Sequence, residues 1–290
     1  MVSETVSPGS ELTRPPPSKL ASSGPLTQSQ IDHFFDQGYV VVPSLVPPEL
    51  LRRLQGACPA VEAAQLSVPV SLYKNLSFRV WRSHKAFEEV AVSSPVAAAA
   101  AQLTATNPGS RGVIVLQDAY FRLQGENKGC GFHVDDDFFW PCPRDAPGPG
   151  VNAWIALNDV NEDGGGLTIA PRSHLADFLD CREAIKGKTC MLAEIDAKKN
   201  DRLEAIGVSP CVKAGDVILH TRWLFHRGNP FRKGSDAKGG HGIARYSVRY
   251  MPAEAIVKEI RFVNGKMEWL DPEELNEASP ADFPAIQLPT

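Results

Sequence analysis

From Gly112 onward, short β-branched or aromatic runs alternate with clusters of Gly, Pro, Asn and Asp. The runs are shorter than a globular helix needs and the clusters are built from residues that reverse the backbone, so this half reads as many short strands joined by turns. The runs are Val113–Leu123, Gly131–Asp135, Asn152–Leu157, Leu167–Ala170, Cys211–Val212, Val217–His220, Ile243–Met251 and Val257–Val263. Helical patterns precede them. Thr27 is suited to cap a helix, with Gln30 three residues on and a stripe of Ile31, Phe34 and Phe35 that stops at Gly38. Tyr39–Val42 reads as a strand, and Pro47-Pro48 opens a second helix carrying Leu50, Leu51, Leu54 and Val61. The Ala-rich stretch Val90–Ala105 reads as one buried or half-buried helix, and the long connection Ser173–Ser209 as partly helical. The pattern predicts an α+β, mainly β chain, an antiparallel sandwich or barrel with flanking N-terminal helices.

A length of 290 residues suits one large domain. Residues 1–25, rich in Ser, Pro and Thr, bury too little apolar surface to offset their ordering entropy and read as a disordered tail. The domain expected is 26–290, with its β core at about 112–263. The formal charge of -4 carries no basic excess, so nucleic acid is not the expected partner and isolated arginines can be weighed as site residues. No run of eighteen apolar residues is present to span a membrane, and the first twenty-five lack the basic-then-apolar order of a signal peptide. Six cysteines at irregular spacing, without a C-x-x-C pair, read as reduced thiols and point to a cytoplasmic chain.

The chemistry centres on Phe132-His133-Val134-Asp135. Residues two apart on a strand project from one face, roughly 6.5–7 Å apart at Cα. His133 and Asp135 can therefore converge on one metal ion, with Val134 turned to the other side. An H-x-D tripeptide is weak by itself and gains weight from Gly215-Asp216-Val217-Ile218-Leu219-His220 followed by Thr221-Arg222-Trp223-Leu224-Phe225-His226. Here a turn launches an apolar strand and brings up a histidine. Two histidines and one carboxylate make a facial triad that leaves three octahedral positions open, which suits iron(II) with a bidentate 2-oxo acid and dioxygen better than tetrahedral zinc. Strand parity does not separate His220 from His226 as the distal ligand, because they lie an even number of residues apart. Further on, Arg245 and Arg249 share one face of Ile243–Met251. An arginine inside a barrel is costly unless it meets an anion, either a protein carboxylate or the distal carboxylate of 2-oxoglutarate.

These residues resemble the phytanoyl-CoA dioxygenase family of iron/2-oxoglutarate oxygenases across roughly Leu26 to Met251. The resemblance rests on Phe34-Phe35-Asp36-Gln37-Gly38 leading into Tyr39-Val40-Val41-Val42-Pro43, on His133-Val134-Asp135, and on Trp154-Ile155-Ala156-Leu157. It continues through Asp163-Gly164-Gly165-Gly166-Leu167, Pro171-Arg172-Ser173-His174, and Gly215-Asp216 with His226 eleven residues after the glycine. It implies a double-stranded β-helix (jelly roll, cupin-like), with iron(II), 2-oxoglutarate and dioxygen. In it His133, Asp135 and His226 are the ligands, Arg245 holds the 2-oxoglutarate C5 carboxylate, and Trp154 borders the co-substrate pocket. The family register favours His226 over His220. The chain departs from the pattern in placing Arg245 nineteen residues beyond His226 where the family has about eleven, with Lys233–Gly242 as the loop that accounts for it. Arg249 is then the second candidate for the co-substrate, or a contact for an anionic substrate. The family's halogenases replace the carboxylate by a small residue; Asp135 is present, which favours hydroxylation of an aliphatic C–H in a small organic substrate, an acyl-CoA among the candidates.

Other features have plainer readings. Gly164–Gly166 is a tight turn, since no Lys-Ser/Thr and no helix follow as a phosphate loop requires. Ser173-His174 lacks the elbow of a hydrolase nucleophile, and His174 is expected near the pocket mouth. Asp136, Asp137, Phe138, Phe139 and Trp140 line the substrate pocket or pack in the core, and Gln117 and Arg122 lie on a strand from which they reach either ligand or protein. Two rival functions use the same residues: a non-catalytic cupin-like metal or small-ligand binding protein, and a zinc-dependent hydrolase.

Overall fold

The computed structural model describes residues 24–64, 76–104, 112–124, 129–135, 139–140, 142, 150–162, 164–185, 192–235, 242–257, 260–263, 266–269, 276–277 and 283–286. The expected disordered tail, Cys190 and Asp136–Phe138 lie wholly or almost wholly outside them. The chain begins with α1 (Gln28–Gln37), β1 (Tyr39–Val42) and α2 (Pro48–Ala63), and continues through β2 (Leu76–Phe78), α3 (Lys85–Val92), α4 (Pro95–Thr104) and β3 (Val113–Leu123). Then come β4 (Val151–Ala156), β5 (Leu167–Ile169), α5 (Leu179–Ile185), α6 (Leu192–Ile195), α7 (Ala197–Glu204), β6 (Val217–Thr221) and β7 (His226–Gly228). The last strands are β8 (Ile243–Pro252), β9 (Ile256–Val257), β10 (Ile260–Val263), β11 (Lys266–Trp269) and β12 (Asn276–Glu277).

The capping box expected at Thr27 forms: its hydroxyl accepts from the Gln30 amide and the Gln30 side chain accepts from the Thr27 amide. The Ala-rich stretch is two helices and not one. Ser94 Oγ donates to Val90 O at 2.7 Å and accepts from the Val96 amide at 3.0 Å, while Pro95 occupies the first turn of α4. A serine cap followed by proline ends one helix and starts another. Alanines fill α4, which is buried from Val96 onward and packs against β4 and β8.

Six antiparallel strands form the large sheet in the order β1-β6-β4-β8-β3-β2. It is covered on both faces, so every residue of its central strands β4 and β8 is buried, the polar ones included. Val151, Ala153 and Ile155 of β4, Val217 and Leu219 of β6, and Ala244, Tyr246, Val248 and Tyr250 of β8 pack against α1–α4. The alternate residues turn to the other face. β3 bulges between Val115 and Gln117, so the helix-facing parity changes from Val113 and Val115 to Tyr120. The sheet thus begins well before residue 112, because β1 and β2 supply its edges.

Opposite it lies the short ladder β5–β7, lengthened by an isolated bridge between His133 and His226. The expected strand Gly131–Asp135 is reduced to that bridge, and Cys211–Val212 to a bridge between Val212 and Val160. Val257–Val263 is corrected to two strands, β9 and β10, which pair with β12 and β11 outside the large sheet. Ser173–Ser209 carries α5, α6 and α7, whose Cys181, Ile185, Leu192 and Leu203 pack on Phe132 and Phe225 behind the small ladder. The architecture is the expected mixed, mainly antiparallel jelly roll with N-terminal helices on the outer face of its large sheet.

Candidate metal centre

His133 and His226 are directly opposed across the small ladder, each backbone amide donating to the other's carbonyl at 3.0 Å. Opposed residues present their side chains on one face, and here the ring centroids are 4.6 Å apart. His133 Nδ1 sits 2.9 Å from Gly131 O and His226 Nδ1 sits 3.1 Å from Leu224 O. A carbonyl only accepts, so each Nδ1 carries the proton when the ring is neutral and each Nε2 offers a lone pair. Asp135 Oδ1 lies 3.9 Å from Nε2 of His133 and 3.5 Å from Nε2 of His226, and the three donors are within 4.8 Å of one another. Adjacent donors on an ion with bonds of about 2 Å are about 3 Å apart, so a small inward movement lets the set share one cation.

The electrostatics agree with that use. Burial opposes ionisation of Asp135, but the Arg249 guanidinium and the two histidines hold it well below the usual carboxylate range. Burial also pushes His133 down; the Cys130 sulfur and Asp135 outweigh it and carry the ring up to about 9. A metal at this site therefore displaces a proton from His133 on binding.

His220 is not part of the cluster. Its Nδ1 is 3.0 Å from Thr221 O and its Nε2 is 2.8 Å from Asn152 Nδ2, so both nitrogens are committed. Burial and the neighbouring His226 push it down to about 3, leaving it neutral. Parity did not separate the two histidines because the chain leaves β6 at Thr221, turns through Leu224, and re-enters as β7 in the opposite layer.

A cavity of about 460 Å³, counting its open mouth, adjoins the three side chains. The register arranges its floor in rows: His220, Asn152 and Arg249 side by side on β6, β4 and β8, then Ile218, Trp154 and Ser247, then Ala156 beside Arg245. Arg245 is 9% exposed, with its guanidinium 4.7 Å from the Phe121 ring centre and 6.0 Å from that of Trp154. Arg249 is turned towards Asp135. It donates to Asp135 Oδ2 from Nε at 3.2 Å and Nη2 at 2.9 Å, over the Phe139 ring at 4.6 Å. The Trp154 indole N–H and Asn152 Oδ1 are buried without hydrogen-bond partners among the described residues, as polar groups awaiting a ligand would be.

Several expectations are placed elsewhere. Arg122 shares the helix-facing side of β3 with Tyr120 and pairs with Glu62, so it does not reach the cavity. His174 is buried beneath α1 with Nε2 3.2 Å from Phe35 O, and it is not at the mouth. Phe139 lines the cavity while Trp140 is core. Asn152 and Ser247 were missed, although alternation along β4 and β8 puts them beside Trp154 and Arg245. Cys130, whose sulfur accepts from the Gly228 amide at 2.9 Å and lies 3.8 Å from His133 Nδ1, sits in a loop with no periodicity to reveal it.

The sequence matches the phytanoyl-CoA dioxygenase (PhyH) family over residues 34–238, well over half of the chain. The chain belongs to this family. The phytanoyl-CoA dioxygenase family comprises 2-oxoglutarate-dependent non-haem iron oxygenases, and that enzyme class, expected from the residues, stands. No curated protein sequence matches this family member. Among solved structures, it resembles the non-haem α-ketoglutarate-dependent carbocyclase SnoK from nogalamycin biosynthesis, with a TM-score of 0.64 at 20% identity, covering 82% of this chain and 87% of that one. It also resembles EctD from S. alaskensis with bound Fe, with a TM-score of 0.66 at 14% identity over 97% and 92% of the two chains. A third is HygX from Streptomyces hygroscopicus with nickel and 2-oxoglutarate bound, with a TM-score of 0.54 at 16% identity over 78% and 87%. At these identities the likeness is one of fold. Among the described residues no helix is long and apolar enough to cross a membrane, and the cysteines at positions 58, 130, 142, 181 and 211 form no disulfide there.

Proposed function

We propose that this protein hydroxylates an aliphatic C–H of a small organic substrate, with His133, Asp135 and His226 holding iron(II) and Arg245 holding 2-oxoglutarate. The supporting observation is the clustering of two Nε2 atoms and one carboxylate oxygen at the wall of a cavity that also contains a buried guanidinium. Iron bound there supplies the redox chemistry that couples decarboxylation of 2-oxoglutarate to succinate and carbon dioxide with oxidation of the substrate by dioxygen.

The chain's own residues supply positions and exclude water. Arg245 presents a planar fork for the C5 carboxylate, and the Ser247 hydroxyl, two residues on along the same face, stands beside it. Trp154 borders the same space and has its indole N–H to give. The carbonyls of Gly131 and Leu224 keep both imidazoles turned with Nε2 outward. Phe121, Phe139 and Leu167 form apolar wall that keeps bulk water from the reacting centre.

Adding iron(II) and 2-oxoglutarate to the apoprotein without oxygen should give a weak visible charge-transfer band, which neither a zinc hydrolase nor a simple metal-binding cupin produces. Asp135→Ala should lose both that band and succinate release; full turnover in this variant would falsify the ligand assignment. A succinate-release screen over compound classes, acyl-CoA thioesters included, then identifies the substrate.

A further inference from the structure

Arg245 is proposed above to hold the 2-oxoglutarate carboxylate, a role in which the buried pair between Arg249 and Asp135 is given no part. We propose that Arg249 is a positioning residue for the metal: it fixes Asp135 as a one-oxygen ligand, with Oδ1 towards the ion and Oδ2 withheld. This rests on the ligand set proposed above.

The geometry separates the two carboxylate oxygens. Oδ1 is the one near the histidines, at 3.5 and 3.9 Å from their Nε2 atoms. Oδ2 takes two hydrogen bonds from one guanidinium, at 3.2 and 2.9 Å. For Asp135 to chelate an ion through both oxygens, the carboxylate would have to leave Arg249. That would strand a cation which is 3% exposed, in a setting where charges need partners. Arg249 itself cannot follow easily. Its Cα is in register with Asn152 on one side and Gln117 on the other, both buried, and its guanidinium lies over the Phe139 ring. Asn152 in turn is tied to His220, whose ring stands 4.8 Å from that of His226. One polar row of the large sheet therefore bears on two of the three ligands. Asp135 lies on an irregular segment two residues beyond the His133 bridge, and the backbone hydrogen bonds of Cys130, Phe132 and His133 all fall before it, so the Arg249 contact bears directly on where its side chain points.

A one-oxygen carboxylate leaves three octahedral positions for co-substrate and dioxygen, whereas chelation by both oxygens would fill one of them. The pairing also brings a positive charge against the ligand, so affinity for a divalent cation comes from geometry and not from surplus negative charge.

The test titrates Co(II), as an air-stable optical probe, and Fe(II) without oxygen into the full-length apoprotein, its Arg249→Met, Arg249→Lys and Arg245→Met variants. Each is first checked for wild-type circular dichroism. Arg249→Met should weaken metal binding by about 10- to 100-fold, the range for loss of an outer partner of a ligand, and should alter the Co(II) visible spectrum. Affinity of the metal-loaded protein for 2-oxoglutarate should change much less. Arg249→Lys, which keeps the charge but not the fork, should recover part of the metal affinity, and this variant carries the test should the methionine variant fold poorly. Arg245→Met should behave in reverse, with metal affinity near wild type and 2-oxoglutarate binding lost by 100-fold or more. Wild-type metal affinity and spectrum in both Arg249 variants would overturn the proposal, as would a loss confined to 2-oxoglutarate. Failure of the wild-type protein to bind the metal, or undiminished binding by Asp135→Ala, would instead overturn the ligand set.

Discussion

At Gly38 three demands meet on one residue. It ends α1 in the left-handed region at φ 84°, its amide donates to Phe34 O at 2.7 Å, and its carbonyl accepts from the Thr221 amide at 2.9 Å. A Cβ there would come within 2.5 Å of His174 Nδ1 and 2.7 Å of Leu224 Cδ1. Gly38→Ala should therefore cost about 2 kcal/mol or more in a denaturant titration, about 1–2 of it from backbone conformation alone. An undiminished midpoint would show that the helix end relaxes freely. The stop signal was legible in the sequence, since a glycine after an apolar stripe ends helices. The contact with His174 was not, because 136 residues separate the two positions and only folding brings them together. The same distinction applies to Arg122 and Arg249: the residue type announced a need for an anion, and the chain order did not say which carboxylate answers it.

Elements were legible where a pattern repeats over several residues and obscure where one or two residues decide. β3 was read with its observed limits, and β1, β4, β6 and β8 to within a residue or so, because their β-branched and aromatic runs are bounded by turn-forming residues. The α3/α4 break turned on Ser94 and Pro95. Asp118 shows how such a junction is held: buried on the helix side of β3, it accepts from the Val80 and Trp81 amides at 3.1 and 2.8 Å and from the Tyr246 hydroxyl at 2.7 Å. Burial nevertheless raises its carboxyl to about 6 from the ordinary 3.8. An acid raised in the folded state binds its proton more readily there than in the unfolded chain. Its contribution to stability is therefore greatest below about pH 4 and falls as pH rises to about 6, by about 3 kcal/mol at most. His174 works in the opposite sense, since burial pushes it down to about 4 and its contribution is lost as pH falls from 6.5 towards 4. The Asp118 effect is thus read as a difference. Melting temperatures of wild type and Asp118→Asn should converge or diverge systematically between pH 4 and 6, wild type losing ground as pH rises; parallel curves would mean that Asp118 does not titrate in that window.

For the molecule as a whole, the candidate centre lies where two layers meet, with His133 and His226 on the small ladder and Arg245 and Arg249 on the large sheet. A metal that binds only the folded chain should stabilise both layers together, by about 2.7 kcal/mol at a hundredfold excess over its dissociation constant. Calorimetry of the apoprotein with added Co(II) should show this as a raised unfolding midpoint, absent in Asp135→Ala; an equal shift in that variant would point to binding elsewhere. By itself the sequence determined the fold class, the covered sheet strands and the residue types of the centre, because periodicity and ligand chemistry are local properties of a chain. The spacing after Gly215 already favoured His226 over His220; only the tertiary structure brought His226 to His133 and Asp135, and decided that Arg249 faces Asp135 while Arg245 faces the open cavity. Those contacts depend on which layer a chain enters after a turn and on which charges meet once water is gone, and strand parity carries neither.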